Sequence, residues 1–253
     1  MSLIVQQFPC LSDNYGFLLH DKESGETIAI DTPDPVEYLK QAERQGWKIT
    51  QIWNTHWHPD HAGGNKKIAA ETGARIVAPK EVERLSQIDL TVTHGDQVTL
   101  SKSHTARVID VSGHTNGHVA FYLKDAGMAF VGDSLFALGC GRMFEGTAKQ
   151  FWESLLRIRE LPGETLIYCA HEYSAANAKF ALHADPTNEK LRLYVGEIKK
   201  KRARNVPTVP TTLSIEKETN PFLRADKPAI QAIWGSQLPD ETFAALRAAK
   251  DNF

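Results

Sequence analysis

The stretch Thr55-His56-Trp57-His58-Pro59-Asp60-His61 decides how this chain is read. A strand expected over 49–54 delivers the backbone to a loop with four metal-ligand side chains in six residues. In extended backbone successive side chains point to opposite sides, so His56 and His58 share one side while Trp57 and Pro59 turn away. Pro59 restricts the backbone ahead of Asp60 and His61, which lets that pair address a neighbouring point. Imidazole and carboxylate without thiolate suit zinc, iron or manganese and leave positions open for water. The plainer alternative is a histidine-rich surface loop, but this spacing directly after an apolar strand argues against it.

Three later residues complete a ligand set. His114 follows a strand within Val111-Ser112-Gly113-His114-Thr115-Asn116-Gly117-His118, Asp133 follows the apolar run Met128–Val131 and Gly132, and His171 follows the strand ending at Cys169. Side chains at the carboxyl ends of separate strands can converge on one rim. Each taken singly is an ordinary turn or core residue. With the first motif they supply seven ligands, enough for two ions with one shared carboxylate. Asp133 is the bridge in this reading, because a carboxylate offers two oxygens.

Around these positions the first half reads as short strands near 3–8, 15–20, 27–31, 75–78, 97–100, 105–111, 119–124 and 128–131, with helices near 36–44 and 64–72. Gly46 stops the first helix. Thr147 and Gln150 form a capping box for a helix whose apolar face is Phe151, Trp152, Leu155, Leu156 and Ile158, ending at Pro162-Gly163. After a strand at 165–169 the chain turns helical: about 174–184, then a helix to about Arg204 with Asp185-Pro186 as cap and first-turn proline. A loop rich in Pro and Thr is expected over 205–221, and helices near 226–234 and 240–250 close the chain. This order implies an α+β protein with sheets packed together and flanked by helices. A soft boundary near residue 172 divides the strand-rich part, 1–172, from the helical part, 173–253.

Bulk properties exclude several classes. The chain has 253 residues, 24% of them charged, with a formal net charge of −2, which gives no overall attraction to nucleic acid. The basic run Lys199–Arg202 with Arg204 reads as a solvated helix end. Three scattered cysteines (Cys10, Cys140, Cys169) form no disulfide framework and favour a reducing compartment. The start of the chain has neither a basic segment nor a long apolar run, and no stretch approaches ~18 apolar residues, so no signal peptide or membrane span is expected and the assignment is cytoplasmic.

HWHPDH followed by GHTNGH, GDS and AHEY resembles the metallo-β-lactamase superfamily, which implies a four-layer αββα sandwich with metals at one sheet edge. Within it, Cys140–Thr147 (CGRMFEGT), His171-Glu172-Tyr173 and the closing Leu246–Asp251 (LRAAKD) resemble glyoxalase II, the hydroxyacylglutathione hydrolases. The match covers essentially the whole chain; HxHxDH alone specifies only the superfamily. The resemblance implies one metal on His56, His58, His114 and Asp133, and another on Asp60, His61, Asp133 and His171. It implies glutathione contacts from Arg142, Tyr173, Arg247 and Lys250, with Phe144 in the same stretch. Some family members have tyrosine where Phe144 stands, so that contact is reduced to packing. Ser112 replaces a proline common before the Gly-His, and Asn14-Tyr15 and Asp31 fit the family's early structural segments. The implied reaction is hydrolysis of an S-lactoylglutathione-type thioester, the chemistry of methylglyoxal detoxification, by a monomer that contacts neither membrane nor nucleic acid.

Elementary chemistry agrees. Two metals ~3.5–4 Å apart, zinc or else iron or manganese, can hold a hydroxide and polarise a carbonyl oxygen. A thiolate leaving group, whose thiol titrates near ~8.5, requires no strong general acid. Asp60 is either a ligand or a general base, and its neighbours favour ligation. Arg247 and Lys250, three apart on the last helix, share a face suited to the carboxylates of a tripeptide; a solvated basic helix end is the alternative. The competing functions are a mononuclear-iron glutathione persulfide dioxygenase, a nuclease of the same superfamily, and a non-catalytic metal-binding module. His118 and the remaining histidines have no ligand spacing.

Overall fold

Strands Leu3–Cys10 (β1), Asn14–Asp21 (β2) and Thr27–Ile30 (β3) pair antiparallel in a computed structural model that describes residues 3–253. Gln51–Trp53 (β4), Arg75–Ala78 (β5) and Leu90–Thr91 (β6) extend the sheet in parallel, giving the order β1-β2-β3-β4-β5-β6. Parallel neighbours need crossovers, and helices supply them: Pro35–Gln45 (α1) between β3 and β4, then the single turn Pro59–Ala62 (α2) and Asn65–Thr72 (α3) between β4 and β5. Asp34 caps α1 by accepting from the backbone N–H groups of Val36 and Glu37, Pro35 occupies its first turn, and Gly46 closes it in the left-handed region.

Register shows how each sheet face is used. Leu18, Ala29, Ile52 and Ile76 line up across four strands and share a buried cluster with Tyr38 and Ala42 of α1 and Ile68 of α3. The opposite face carries the row Phe17, Ile30, Trp53 and Val77. It meets an antiparallel run of Gln97–Ser101 (β7), His104–Asp110 (β8), Val119–Leu123 (β9) and Met128–Gly132 (β10). Ring centroids of Phe17 and Phe130 lie 5.6 Å apart and those of Trp53 and Phe121 5.1 Å apart. Every residue of β9 and β10 is buried, as strands covered on both faces require. These elements make one compact unit, Met1–Asp110 with Gly117–Gly132.

The second unit is Val111–Asn116 with Asp133–Phe253. It opens with a two-residue hairpin, Leu135–Phe136 (β11) and Gly139–Cys140 (β12). Ala148–Arg159 (α4) starts with the expected capping box, Thr147 accepting from the backbone of Gln150 and Gln150 accepting from that of Thr147. Leu166–Cys169 (β13) pairs antiparallel with Thr211–Thr212 (β14). Helices Ser174–Ala184 (α5), Glu189–Ala203 (α6), Leu213–Thr219 (α7), Pro228–Trp234 (α8) and Pro239–Asp251 (α9) complete it. Leu138, Ala178, Ala181, Leu191, Tyr194, Val195 and Ile198 form a buried cluster between α5 and α6, and Phe151 and Trp152 of α4 pack on Phe243 of α9. Among the described residues no helix is long and apolar enough to cross a membrane.

Two local expectations fail. The helix after Asp185-Pro186 begins later, because Asn188 is the cap that accepts from the N–H of Leu191, and Asp185 instead accepts from the Asn188 side chain. The expected loop 205–221 contains β14 and α7. The inward positions of α7 are Leu213, Glu216 and Thr219; two of the three are polar, so the helix lacks the apolar periodicity by which it would be recognised.

Candidate metal centre

The first group of candidate ligands leaves the end of β4. Asp31, directly after β3 and at φ 53°, is buried and accepts from the Thr55 N–H at 2.8 Å and the Thr55 hydroxyl at 2.9 Å. It also sits 2.9 Å from His61 Nδ1. A carboxylate there holds the proton on Nδ1 and leaves Nε2 as the nitrogen free to ligate a metal. The Thr55 hydroxyl, already donating to Asp31, lies 3.0 Å from His56 Nδ1, and His56 Nε2 in turn lies 3.0 Å from His58 Nδ1. Two ligands on one tetrahedral ion, each ~2.05 Å from it, stand ~3.3 Å apart, close to this separation. Pro59 begins α2, so Asp60 and His61 share one helical turn, with Asp60 Oδ2 3.6 Å from His61 Nε2. Asn14 donates to both the carboxylate and the backbone carbonyl of Asp60.

The second group is built around Asp133. Its Oδ2 lies 3.4 Å from His114 Nε2 and its Oδ1 3.3 Å from His171 Nε2. His114 Nδ1 is 2.8 Å from the Arg142 carbonyl oxygen; a carbonyl only accepts, so the imidazole proton resides on Nδ1 and Nε2 faces the carboxylate. His171 stacks on Tyr173 with centroids 4.7 Å apart and planes 3° apart, and Phe136 meets both rings edge-on. Gly141 permits the close approach: a Cβ there would lie 2.0 Å from the Asp133 carbonyl oxygen and 2.9 Å from His114 Nδ1. All three candidate side chains in this group are buried, and imidazole nitrogens beside carboxylate oxygens are the donors divalent ions take. The donor set fits such ions.

The expected glutathione contacts diverge in setting. Arg142 is exposed and 3.8 Å from Asp251, Tyr173 is partly exposed, and exposed Phe144 packs edge-on against His114. Lys250 holds its ammonium over the Phe180 and Phe253 rings; burial, then the charges of Arg247 and Arg142, lower its pKa. Arg247 is only 3% exposed. It donates to the Cys140 carbonyl at 2.8 Å and to Asp251 at 2.9 Å.

Two residues here gain a place beside the candidate ligands that the sequence did not give them: Asp31, expected only as part of a structural segment, and His118. Asp31 was detectable: the parallel pairing of Ile30 with Trp53 carries the next residues, Asp31 and Asn54, side by side into the ligand loop. His118 was not, since stacking leaves no spacing rule. Its ring lies 4.5 Å from that of His56 at 17° and is fully buried. Gly132, at φ 50°, makes room, because a Cβ would lie 2.5 Å from the Thr55 hydroxyl and 2.8 Å from the His118 ring.

Residues 21–171 match the Metallo-beta-lactamase superfamily, and residues 172–253 match the Hydroxyacylglutathione hydrolase C-terminus. Among solved structures, the chain is similar to ETHE1 from Myxococcus xanthus, with a TM-score of 0.68 and 24% identity over 98% of each chain. It is also similar to the BLEG-1 B3 metallo-beta-lactamase, at 0.66 and 19% over 87% of this chain and 99% of that one. Likeness at these identities speaks for the fold alone, which is the expected α+β metallo-β-lactamase fold with a helical C-terminal part. Sequence relatives carry more. The Hydroxyacylglutathione hydrolase of Erythrobacter litoralis is 69% identical over 99% of this chain and 100% of its own length; that of Maricaulis maris is 55% identical over 99% of each. The chain belongs to the hydroxyacylglutathione hydrolase family.

Proposed function

We propose that this chain hydrolyses S-(2-hydroxyacyl)glutathione thioesters, S-lactoylglutathione above all, to glutathione and a 2-hydroxy acid, with two divalent metal ions, zinc before iron or manganese. One observation carries the two-ion reading: each oxygen of Asp133 faces a different imidazole Nε2, the arrangement of a carboxylate shared between two cations. The ligand sets are His56, His58, His114 and Asp133, and Asp60, His61, Asp133 and His171, as the family motif has them. Bound there, divalent ions supply Lewis acidity to water and to a carbonyl oxygen.

The protein's own groups do the rest. Asp31 and the Arg142 carbonyl hold His61 and His114 in the tautomer that presents Nε2. Asn14 restrains Asp60, which favours ligation over general-base work. The exposed Arg142 guanidinium and the Lys250 ammonium offer cations to the carboxylates of the tripeptide, and Tyr173 lies beside His171 to flank the thioester. Arg247 supports this surface from beneath through the Cys140 carbonyl and Asp251. The thiolate product leaves without a proton donor. Residues 173–253 form the substrate-binding domain in this reading. A cytoplasmic monomer acting in methylglyoxal detoxification accords with the three buried thiols, which burial pushes up to about 12, 11 and 12 for Cys10, Cys140 and Cys169.

The test is elemental analysis of purified protein alongside hydrolysis of S-lactoylglutathione. About two metals per chain and thioester cleavage are expected. One tightly bound iron, with oxygen consumed on glutathione persulfide, would replace this reading with the dioxygenase.

A further inference from the structure

The β11–β12 hairpin follows Asp133 by two residues and leads through Gly141 into Arg142. Its turn residues are Phe136, Ala137, Leu138 and Gly139, all buried. Leu138 is held at φ 57°, a left-handed conformation that a leucine seldom adopts. Buried backbone groups need partners, and here they come from three side chains of the helical region. Asn220 Nδ2 donates to the Phe136 carbonyl at 3.1 Å and the Gly139 carbonyl at 3.0 Å. Asn177 Nδ2 donates to the Ala137 carbonyl at 3.1 Å. Glu216 Oε2 accepts from the Leu138 N–H at 2.9 Å and from Asn220 at 3.0 Å, while its other oxygen accepts from Thr211 at 2.8 Å.

We propose that Asn177, Glu216 and Asn220 are positioning residues: they clamp the Phe136–Gly139 turn and through it set both Asp133 and the Arg142 carbonyl that orients His114. This rests on the reading of Asp133 and His114 as metal ligands. The path is short on both sides of the hairpin. Upstream, the Gly141 N–H reaches the Ser134 carbonyl, so the segment carrying Asp133 is tied to the one carrying Arg142. Downstream, His114 has the Arg142 carbonyl as the partner of its Nδ1. A turn that slackened would release the carboxylate and the imidazole together, as loss of partners behind metal ligands weakens metal binding ~10–100-fold. The helical region thus acts on the metal ligands as well as on the substrate.

The experiment follows release of zinc from the loaded full-length protein to a chromogenic chelator. Asn220→Ala removes two supports of the turn and should accelerate release about tenfold or more. Asn177→Ala removes one, should fold even if the first variant does not, and should accelerate release by a smaller factor. Val98→Ala, a deletion in β7 outside the cluster that holds Leu138, should lower thermal stability yet release zinc at the parental rate. Folded asparagine variants that release zinc no faster than the parent would overturn the clamp, as would an equal acceleration by Val98→Ala. A parental chain that takes up no zinc overturns the ligand assignment itself, and the clamp with it.

Discussion

Asp133 is the residue on which the proposed chemistry converges, since each of its oxygens has its own imidazole. Asp133→Asn keeps the shape and replaces one anionic oxygen by an amide that cannot ligate a cation well. Turnover of S-lactoylglutathione should fall ~10²-fold or more while the circular dichroism spectrum stays parental; near-parental turnover with both metals bound would end the bridging assignment. Glu216 makes the opposite case, a fully buried carboxylate with hydrogen-bond donors and no cation. Burial pushes its pKa from the ordinary 4.5 up to about 7. Between those values the folded chain keeps a proton that the unfolded chain has released, so stability falls as pH rises through this window and levels off above it. A shift of that size corresponds to roughly 3–4 kcal/mol at most. Glu216→Gln has nothing to titrate there. Urea unfolding from pH 4.5 to 8 should give the variant a flatter stability profile than the parent; parallel profiles would show that Glu216 titrates normally.

At the scale of elements, two helices test separable roles. The capping box of α4 follows Gly146, whose N–H meets the carbonyl of Gly113 beside His114, and Thr147→Ala should cost about 1 kcal/mol of stability in urea unfolding. The tail helix α9 carries two cations in unlike settings. Lys250→Ala should raise KM for the glutathione thioester severalfold with kcat unchanged, an effect that shrinks at high salt. Arg247→Ala should also lower the melting temperature, because the buried Cys140 carbonyl loses its donor. Equal melting temperatures for the two variants would contradict that distinction. The same contrast explains what was legible in the sequence. The strands leading to His56, Asp133 and His171 are apolar runs with the candidate ligands at their ends, and the α4 cap follows a local rule, so the strands and the cap could be read in advance. Arg247 and Lys250 look alike in sequence, since i, i+3 spacing gives a face and not its burial. α7 is held by Glu216, Thr211 and Asn220, whose partners lie up to 84 residues away, and no local pattern announces such bonds.

For the molecule as a whole, the proposed ligands run from position 56 to position 171, so metal binding should be read in global stability and not only in turnover. Each proposed set joins the 56–61 motif to residues at 114, 133 or 171, which an unfolded chain does not hold together, and ions that bind the folded form far more tightly stabilise it by up to RT ln(1 + [L]/Kd). At a free metal concentration a thousandfold above Kd this amounts to about 4 kcal/mol. A protein of this length shifts its melting temperature by ~2–4 °C per kcal/mol, so chelation should lower the midpoint by about 10 °C or more. Readdition of zinc should restore it in step with S-lactoylglutathione hydrolysis. Ligation also requires deprotonated imidazoles, so the gap between loaded and chelated protein should narrow as pH falls below the ordinary histidine range near ~6.5. The asparagine variant at position 133 supplies the internal control: with its bridge weakened, its melting temperature should respond less to chelation than that of the parent. A midpoint that chelation leaves unmoved, in protein shown by elemental analysis to have lost its metal, would mean that these side chains hold their places without the ions and that the metals contribute chemistry alone.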